Sequence, residues 1–201
     1  MALTGPVLKA GLQRWTARLE EVAPELNALD GKLGDGDLGA TLQKCSANVR
    51  AASATMPDDL GGVLKACAMA CTKASGSSFG TLLAVAFLTS TKVVGDRQDL
   101  AWEDLSGLLA DVLKALSARG GASLGDKTVL DTLDAVIKAI EGESDPAVQH
   151  QKATAAVEAT LEAFRGKPNK IGRARMFAEQ SIGQDDPGMV AFRHMLASLR
   201  A

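Results

Sequence analysis

Histidine and cysteine are scarce in this chain, and neither scarcity leaves room for the usual catalytic constellations. His150 and His194 are the only histidines, so no Ser-His-Asp or Cys-His arrangement can be assembled with confidence, and both read as surface residues. Cys45, Cys67 and Cys71 are odd in number and lack the C-x-x-C spacing of zinc and redox sites. Cys67 and Cys71 fall one helical turn apart in "LKACAMACTKA" and read as free thiols in a core. No apolar run approaches the ~20 residues of a membrane span. "MALTGPVLKAGLQRW" lacks the basic-then-apolar order of a secretory signal, so a cytoplasmic location is expected. Charge is nearly balanced, 22 Lys and Arg against 24 Asp and Glu, so nothing advertises nucleic acid or an anionic membrane. Small molecules and proteins are the expected partners. G-x-x-x-x-G-K-[ST] is absent, and no G-x-G-x-x-G follows a strand pattern, which removes the P-loop and Rossmann routes to nucleotide binding.

What is present is helical periodicity. At 201 residues and 46% hydrophobic, one domain spanning 1–201 is expected. Apolar residues recur at steps of three and four, and no segment keeps a period of two. Eight stripes result. The first runs Leu8, Leu12, Trp15, Leu19 and Val22, with Pro6 in the first turn. The next three run Leu42, Cys45 and Val49; Leu60, Val63, Leu64 and Cys67; and Leu82, Leu83, Ala86 and Phe87. In the second half come Leu105, Leu108, Leu109, Val112 and Leu116, then Val129, Leu133, Val136, Ile137 and Ile140. Val157, Leu161 and Phe164 form the seventh, and Met189, Met195, Leu196 and Leu199 the eighth. Breakers such as "TMPDD", "VGDRQD", "EGESDP" and "RGKPNKIG" separate helices of similar length, which favours antiparallel neighbours. The expected fold class is all-α, an eight-helix up-and-down bundle or barrel. Monomer is the default oligomeric state.

The unusual loops all precede even-numbered helices. "LDGKLGDGDLGAT" (29–41) leads into the second, "KASGSSFGT" (73–81) into the fourth, "RGGASLGDKT" (119–128) into the sixth and "GQDDPG" (183–188) into the eighth. In an up-and-down arrangement those four helix starts share one end, where unpaired N–H groups and a partial positive charge suit an anion such as phosphate. Ser77 and Ser78, between Gly76 and Gly80, offer hydroxyls to such a ligand, or simply a helix cap. Arg173 lies in the seventh connection, at the same end, and can deliver a charged fork to phosphate oxygens.

The first of these loops packs Asp30, Asp35 and Asp37 among four glycines. Aspartates beside phosphates repel them unless hard divalent cations lie between, and three carboxylates could serve two magnesium ions. An EF-hand fails because its twelfth position, counted from Asp30 or Asp35, is Thr41 or Ser46 rather than glutamate. An Asx-turn with a helix cap accounts easily for one aspartate and poorly for three.

Four motifs in this order, "ALDGKLGDGDLGAT", "SGSSFGTLL", "GDKTVLDTL" and "GRARMFAEQSIGQDDPG", resemble the nucleotide-binding L subunit of dihydroxyacetone kinases, the DAK2 type, over essentially the whole chain. The resemblance implies a barrel of eight antiparallel helices with ADP or ATP and two magnesium ions at one end. It implies Asp30, Asp35 and Asp37 as metal ligands. Nucleotide contacts would come from Leu38, Gly39, Ala40, Thr41, Ser77, Ser78, Gly120, Val129, Arg173, Asp186, Pro187 and Gly188. Arg173 would also be the catalytic residue, stabilising charge on the transferred phosphoryl group. Substrate would sit on a separate K-type subunit, and a phosphotransferase-system protein is the further partner if bound ADP is rephosphorylated in place. The alternative is a nucleotide-loaded module that binds a regulator protein without catalysis. Leu38 stands where the family often has histidine, and Met176 where an aromatic is common.

Overall fold

The computed structural model describes residues 2–74 and 77–199. Among them are eight α-helices: α1 Gly5–Asp30, α2 Leu38–Ser53, α3 Leu60–Lys73, α4 Ser78–Val94, α5 Leu105–Gly120, α6 Val129–Ile140, α7 Pro146–Arg165 and α8 Pro187–Ala197. Each helix packs on the next, and α8 packs back on α1. That closure makes the arrangement a barrel and puts the starts of α2, α4, α6 and α8 at one end. The all-α expectation holds. Two three-residue strands, β1 Ala2–Thr4 and β2 Asp99–Ala101, pair antiparallel. They are too short to leave a periodic signature, which is why the sequence does not announce them. Among the described residues no helix is long and apolar enough to cross a membrane.

Capping chemistry explains where the helices begin. Thr4, Asp59, Ser77, Asp145 and Asp186 each accept a first-turn backbone N–H at the starts of α1, α3, α4, α7 and α8. Thr128 and Asp131 form a reciprocal capping box on α6. Pro occupies the first turn of α1, α7 and α8, where its missing N–H costs nothing. The starts of α3 and α7, at the opposite end, carry only such cap chemistry.

The apolar stripes face the interior, except that Leu199 of the eighth falls beyond the end of α8 and is exposed. Leu19, Leu26, Leu42, Leu60, Val63, Val157 and Met189 are fully buried, and the core divides into two clusters bridged by half-buried Leu8, Phe87, Leu105, Leu109 and Phe192. Trp15 meets Phe87 edge-on, with ring centroids 6.3 Å apart. Cys45, Cys67 and Cys71 are buried free thiols. Burial pushes the Cys67 thiol up to about 12, so it stays protonated and behaves as a small core side chain. The stripe on α4 differs from expectation. Leu82, Leu83, Ala86 and Phe87 are only half-buried, because α4 also carries Val85 and Leu88 and its apolar character wraps more of the helix than α3 and α5 can cover.

His194 corrects the surface reading. It is 6% exposed; Arg18 donates to its Nδ1 at 3.1 Å, so the ring proton sits on Nε2, which faces Glu25 Oε1 at 3.2 Å. The imidazole is a polar bolt between α8 and α1, satisfied at both nitrogens. His150 is half-buried, with Nε2 at 3.0 Å from the Leu196 carbonyl.

Gly39 sets how closely α2 approaches α1. A β-carbon there would lie 2.0 Å from the Ala23 carbonyl oxygen and 2.8 Å from Asn27 Oδ1. The contact is with backbone, which cannot swing aside. Gly39→Ala is therefore expected to lose about 1–3 kcal/mol of stability, read as a lower urea midpoint at unchanged m-value; an unchanged midpoint would mean the two helices can separate freely.

Candidate functional site

Asp30 closes α1 and organises the loop that follows. Its Oδ2 accepts the backbone N–H groups of Asp37, at 3.0 Å, and Leu38, at 3.3 Å. Asn27, one turn earlier, accepts the Ala40 N–H at 3.1 Å. Two side chains of α1 thus satisfy the orphan donors at the start of α2 and fold the loop back on itself. Gly36 has φ +73°, a left-handed turn that L side chains rarely adopt, and it lies against Gly31. The fully buried Leu33 pins the loop to the barrel. As a result Asp30, Asp35 and Asp37 each offer a carboxylate oxygen, and these oxygens all lie within 4.8 Å of one another. The Asp37 carboxylate makes no cap hydrogen bond of its own. Arg173 Nη1 pairs with Asp35 Oδ2.

A cavity of about 290 Å³ opens beside this cluster. Its walls come from four sequence-distant places: Asp30, Leu33, Asp35, Asp37 and Leu38; Ser77, Ser78, Phe79 and Leu82; Thr128 and Val129; and residues 171–174 with Asp186, Pro187 and Gly188. The starts of α2, α4, α6 and α8 meet there. Oxygen-rich ligands suit hard cations, and the helix starts and Arg173 suit an anion beside them.

Most of the residues singled out in the sequence border this space, and some do not. Asp30, Asp35, Asp37, Leu38, Ser77, Ser78, Val129, Arg173, Asp186, Pro187 and Gly188 line it. Gly39, Ala40 and Thr41 do not; they follow within the first turn of α2, where Gly39 meets Ala23, Ala40 bonds Asn27, and the Thr41 N–H donates to the Asp37 carbonyl. Gly120 ends α5 outside the lining, behind Leu82. Ser77 caps α4, its Oγ accepting from Gly80 at 3.2 Å, and Ser78 opens the helix with its side chain exposed. Gly76 lies outside the described residues.

Residues that sequence reasoning passed over also shape the site. Phe79 and Leu82 give it an apolar wall. Thr128 stands at the mouth as the α6 cap, and "TVLD", a threonine three residues before an acid, carries the signal that could have marked it. Lys127 and Asn169 are buried behind the cavity, and nothing local in the sequence reveals that.

Asp186 is held from several sides. Oδ1 accepts from Met189 N–H at 2.9 Å and Oδ2 from Asn169 Nδ2 at 2.8 Å. Loss of solvent around the carboxyl outweighs these bonds and the nearby Lys127 charge, and pushes it up to about 6. Burial likewise pulls the Lys127 ammonium below its ordinary value, against the attraction of Asp186 and Asp185.

A closed all-α barrel with carboxylates and helix starts converging at one end defines a narrow class of protein. The chain belongs to the DAK2 domain family, whose family model matches residues 32–201. It is 30% identical over 172 residues to the ADP-binding subunit DhaL of PEP-dependent dihydroxyacetone kinase 1 of Listeria innocua, covering 85% of this chain and 83% of that protein. Against the ADP-binding subunit DhaL of the PEP-dependent dihydroxyacetone kinase of Escherichia coli the identity is 28% over 179 residues, or 87% of this chain and 85% of that one. The crystal structure of the dihydroxyacetone kinase from C. freundii in complex with AMP-PNP and Mg2+ shares the fold, with a TM-score of 0.77 at 22% identity over 99% of this chain and 34% of that chain.

The raised Asp186 carboxyl makes stability depend on pH in a stated direction. The folded chain holds this proton to higher pH than the unfolded chain does. The group therefore favours folding fully below about pH 4, and that contribution is lost as pH rises through about 6. Asp186→Asn keeps a cap acceptor but cannot ionise. Relative to this variant, the wild type is expected to lose on the order of 2 kcal/mol of stability between pH 4 and pH 7, measured by urea unfolding at a series of pH values; a difference that stays flat would place the carboxyl in solvent.

Proposed function

We propose that this chain is the nucleotide-binding subunit of a cytoplasmic kinase for dihydroxyacetone or a related small ketose. It holds ADP or ATP through two magnesium ions, while a separate K-type subunit presents the acceptor. The observation that carries the reading is the convergence of three carboxylate oxygens within 4.8 Å on a cavity ringed by four helix starts. A triphosphate or diphosphate needs both halves of that arrangement, cations on one side and N–H donors on the other.

In this reading Asp30, Asp35 and Asp37 hold the metal. Bound magnesium would supply neutralisation of phosphate charge. The first turn of α2 from Leu38 to Thr41, with Ser77, Ser78, Val129 and the Asp186-Pro187-Gly188 turn, would frame the nucleotide, and Gly120 would support that frame from behind Leu82. Phe79 and Leu82 suit the flat apolar faces of a base. Arg173 is the catalytic residue proposed here: its guanidinium already pairs with a carboxylate of the cluster, so phosphoryl oxygens arriving at the same place would find a charged fork in reach. Among the described residues no histidine lines the cavity, and the raised Asp186 carboxyl is already engaged by the Met189 N–H and Asn169, which suits a subunit whose partner supplies the reacting hydroxyl.

The phosphoryl source divides into two routes. ADP could stay bound and be rephosphorylated by a phosphotransferase-system protein, or ATP could exchange at each turnover. The PEP-dependent relatives favour the first.

Thermal melting tests the nucleotide site. At 100 times its dissociation constant a ligand adds ~2.7 kcal/mol of stability, so ADP or ATP with magnesium is expected to raise the melting temperature clearly, and neither alone to do so as well. Asp37→Asn should abolish the shift without disturbing the loop, since Asp30 rather than Asp37 carries the structural hydrogen bonds. A wild type indifferent to both ligands, or a variant that still responds fully, would remove the metal-bridged reading. Binding without ketose phosphorylation when the K-type partner is present would favour the regulator-binding module.

A further inference from the structure

The connection from α7 to α8, residues 166–186, carries Arg173 and supplies one wall of the cavity, yet its only buried residues are Asn169 and Ser181, both polar. No apolar side chain anchors it in the core. Its attachment is polar, through the Arg165–Asp185 and Arg173–Asp35 pairs and, at its buried side, one lysine. Lys127 is fully buried, and its Nζ donates to the carbonyls of Lys167 at 2.7 Å, Ser181 at 2.8 Å and Arg165 at 3.3 Å. An ammonium has three donors and no acceptor, and here two are used on the strap, at Lys167 and Ser181, and one on Arg165 at the end of α7.

The tie reaches the opposite wall through the backbone. Lys127 directly precedes Thr128 and Val129, which line the cavity at the start of α6. Its own carbonyl accepts Asn169 Nδ2 at 3.0 Å, and the same amide group donates to Asp186 at 2.8 Å. The neighbouring Asp126 carbonyl accepts the Lys170 N–H at 3.1 Å. Lys127 has φ +64°, and it is the one non-glycine residue with positive φ among the described residues. A lysine held in an unfavourable backbone region, stripped of water and matched to three carbonyls, marks a position fixed by its surroundings.

We propose that Lys127 is the positioning residue of the nucleotide site: its buried ammonium clamps the 166–186 strap to the start of α6, and so sets where Arg173 and Asp186 stand relative to Thr128 and Val129. The inference rests on the nucleotide reading for its ligand but not for its anchor. Lys127 touches no ligand itself in this scheme; it acts through the strap.

Lys127→Met keeps an unbranched side chain, one atom shorter, and removes the charge and its three donors. The strap exposes Lys170, Arg173 and Arg175 to trypsin, and cleavage there is expected to accelerate about tenfold or more in the variant, while cleavage after exposed basic residues elsewhere, such as Arg50 and Lys65, keeps its wild-type rate. Magnesium-ADP affinity, measured by calorimetry, should fall about tenfold in the otherwise wild-type chain but by less than about threefold in an Arg173→Ala background, because the two changes act through one element. Uniform acceleration at all sites, an unchanged strap, or additive losses of affinity would overturn the proposal. If the wild type binds no magnesium-ADP, the nucleotide reading falls alone, and the trypsin pattern still decides the clamp. Should the methionine variant fail to fold, Lys127→Gln, which keeps a neutral donor, is read against the same outcomes.

Discussion

Mutual repulsion among three carboxylates is the constraint around which this end of the barrel is built. With oxygens within 4.8 Å, each pair repels by about 1 kcal/mol at the dielectric of water and about 3 kcal/mol at an effective value of 20. A chain holds such a cluster only by offsetting that cost locally. Asp30 does so by accepting two backbone N–H groups at the start of α2, where the helix also presents its positive end. Asp35 does so through Arg173. Asp37 has no comparable bond in the cap. The arrangement is thus balanced in part by an arginine that arrives from a strap 136 positions downstream of Asp37, and the geometry of that strap becomes a condition for the stability of the cluster.

The fold was largely legible because its information is local. A period of 3.6 carries from sequence to buried face without help from the rest of the chain, so Leu19, Leu42, Val63 and Val157 land in the core where their spacing puts them. Convergence of the four unusual loops also followed from local facts, since alternating helix direction sends every second helix start to the same end. The failures are of another kind. His194 looks like a solitary polar residue on α8, and only the packing of α8 against α1 supplies Arg18 and Glu25 on either side of its ring. The burial of α4 depends on how much of its surface α3 and α5 can cover, a quantity that no single helix contains.

The same division runs through the site. The aspartate loop announced itself by composition, the helix starts by their glycines and caps. Lys127 did not, because a lysine between an aspartate and a threonine in a loop reads as solvated, and its three carbonyl partners belong to backbone 38 to 54 positions away. Backbone acceptors leave no trace in sequence. Gly39 and Ala40 sit in the same motif as the cavity aspartates, and there the contacts seen are with α1: Gly39 lies against Ala23 and the Ala40 N–H bonds Asn27.

These contrasts explain why the walls of the cavity are held by directional polar ties while the barrel interior is filled by apolar packing. Apolar contacts are non-directional and tolerate sliding, which suits helices that need only exclude water. A cavity that must set cations and anions within a few ångströms of each other has no such tolerance, since charge interactions change steeply at short range. The strap between α7 and α8 is the longest connection in the chain, and a hydrophobic anchor would have fixed its burial without fixing its register. A buried ammonium bound to three carbonyls fixes both, because displacement in any direction breaks a hydrogen bond at a place bulk solvent does not reach. The burial cost carried by Lys127 and Asp186 is the physical counterpart of that register: the site end gives up some stability to hold its walls at defined positions, and the apolar core of the eight helices offsets the loss.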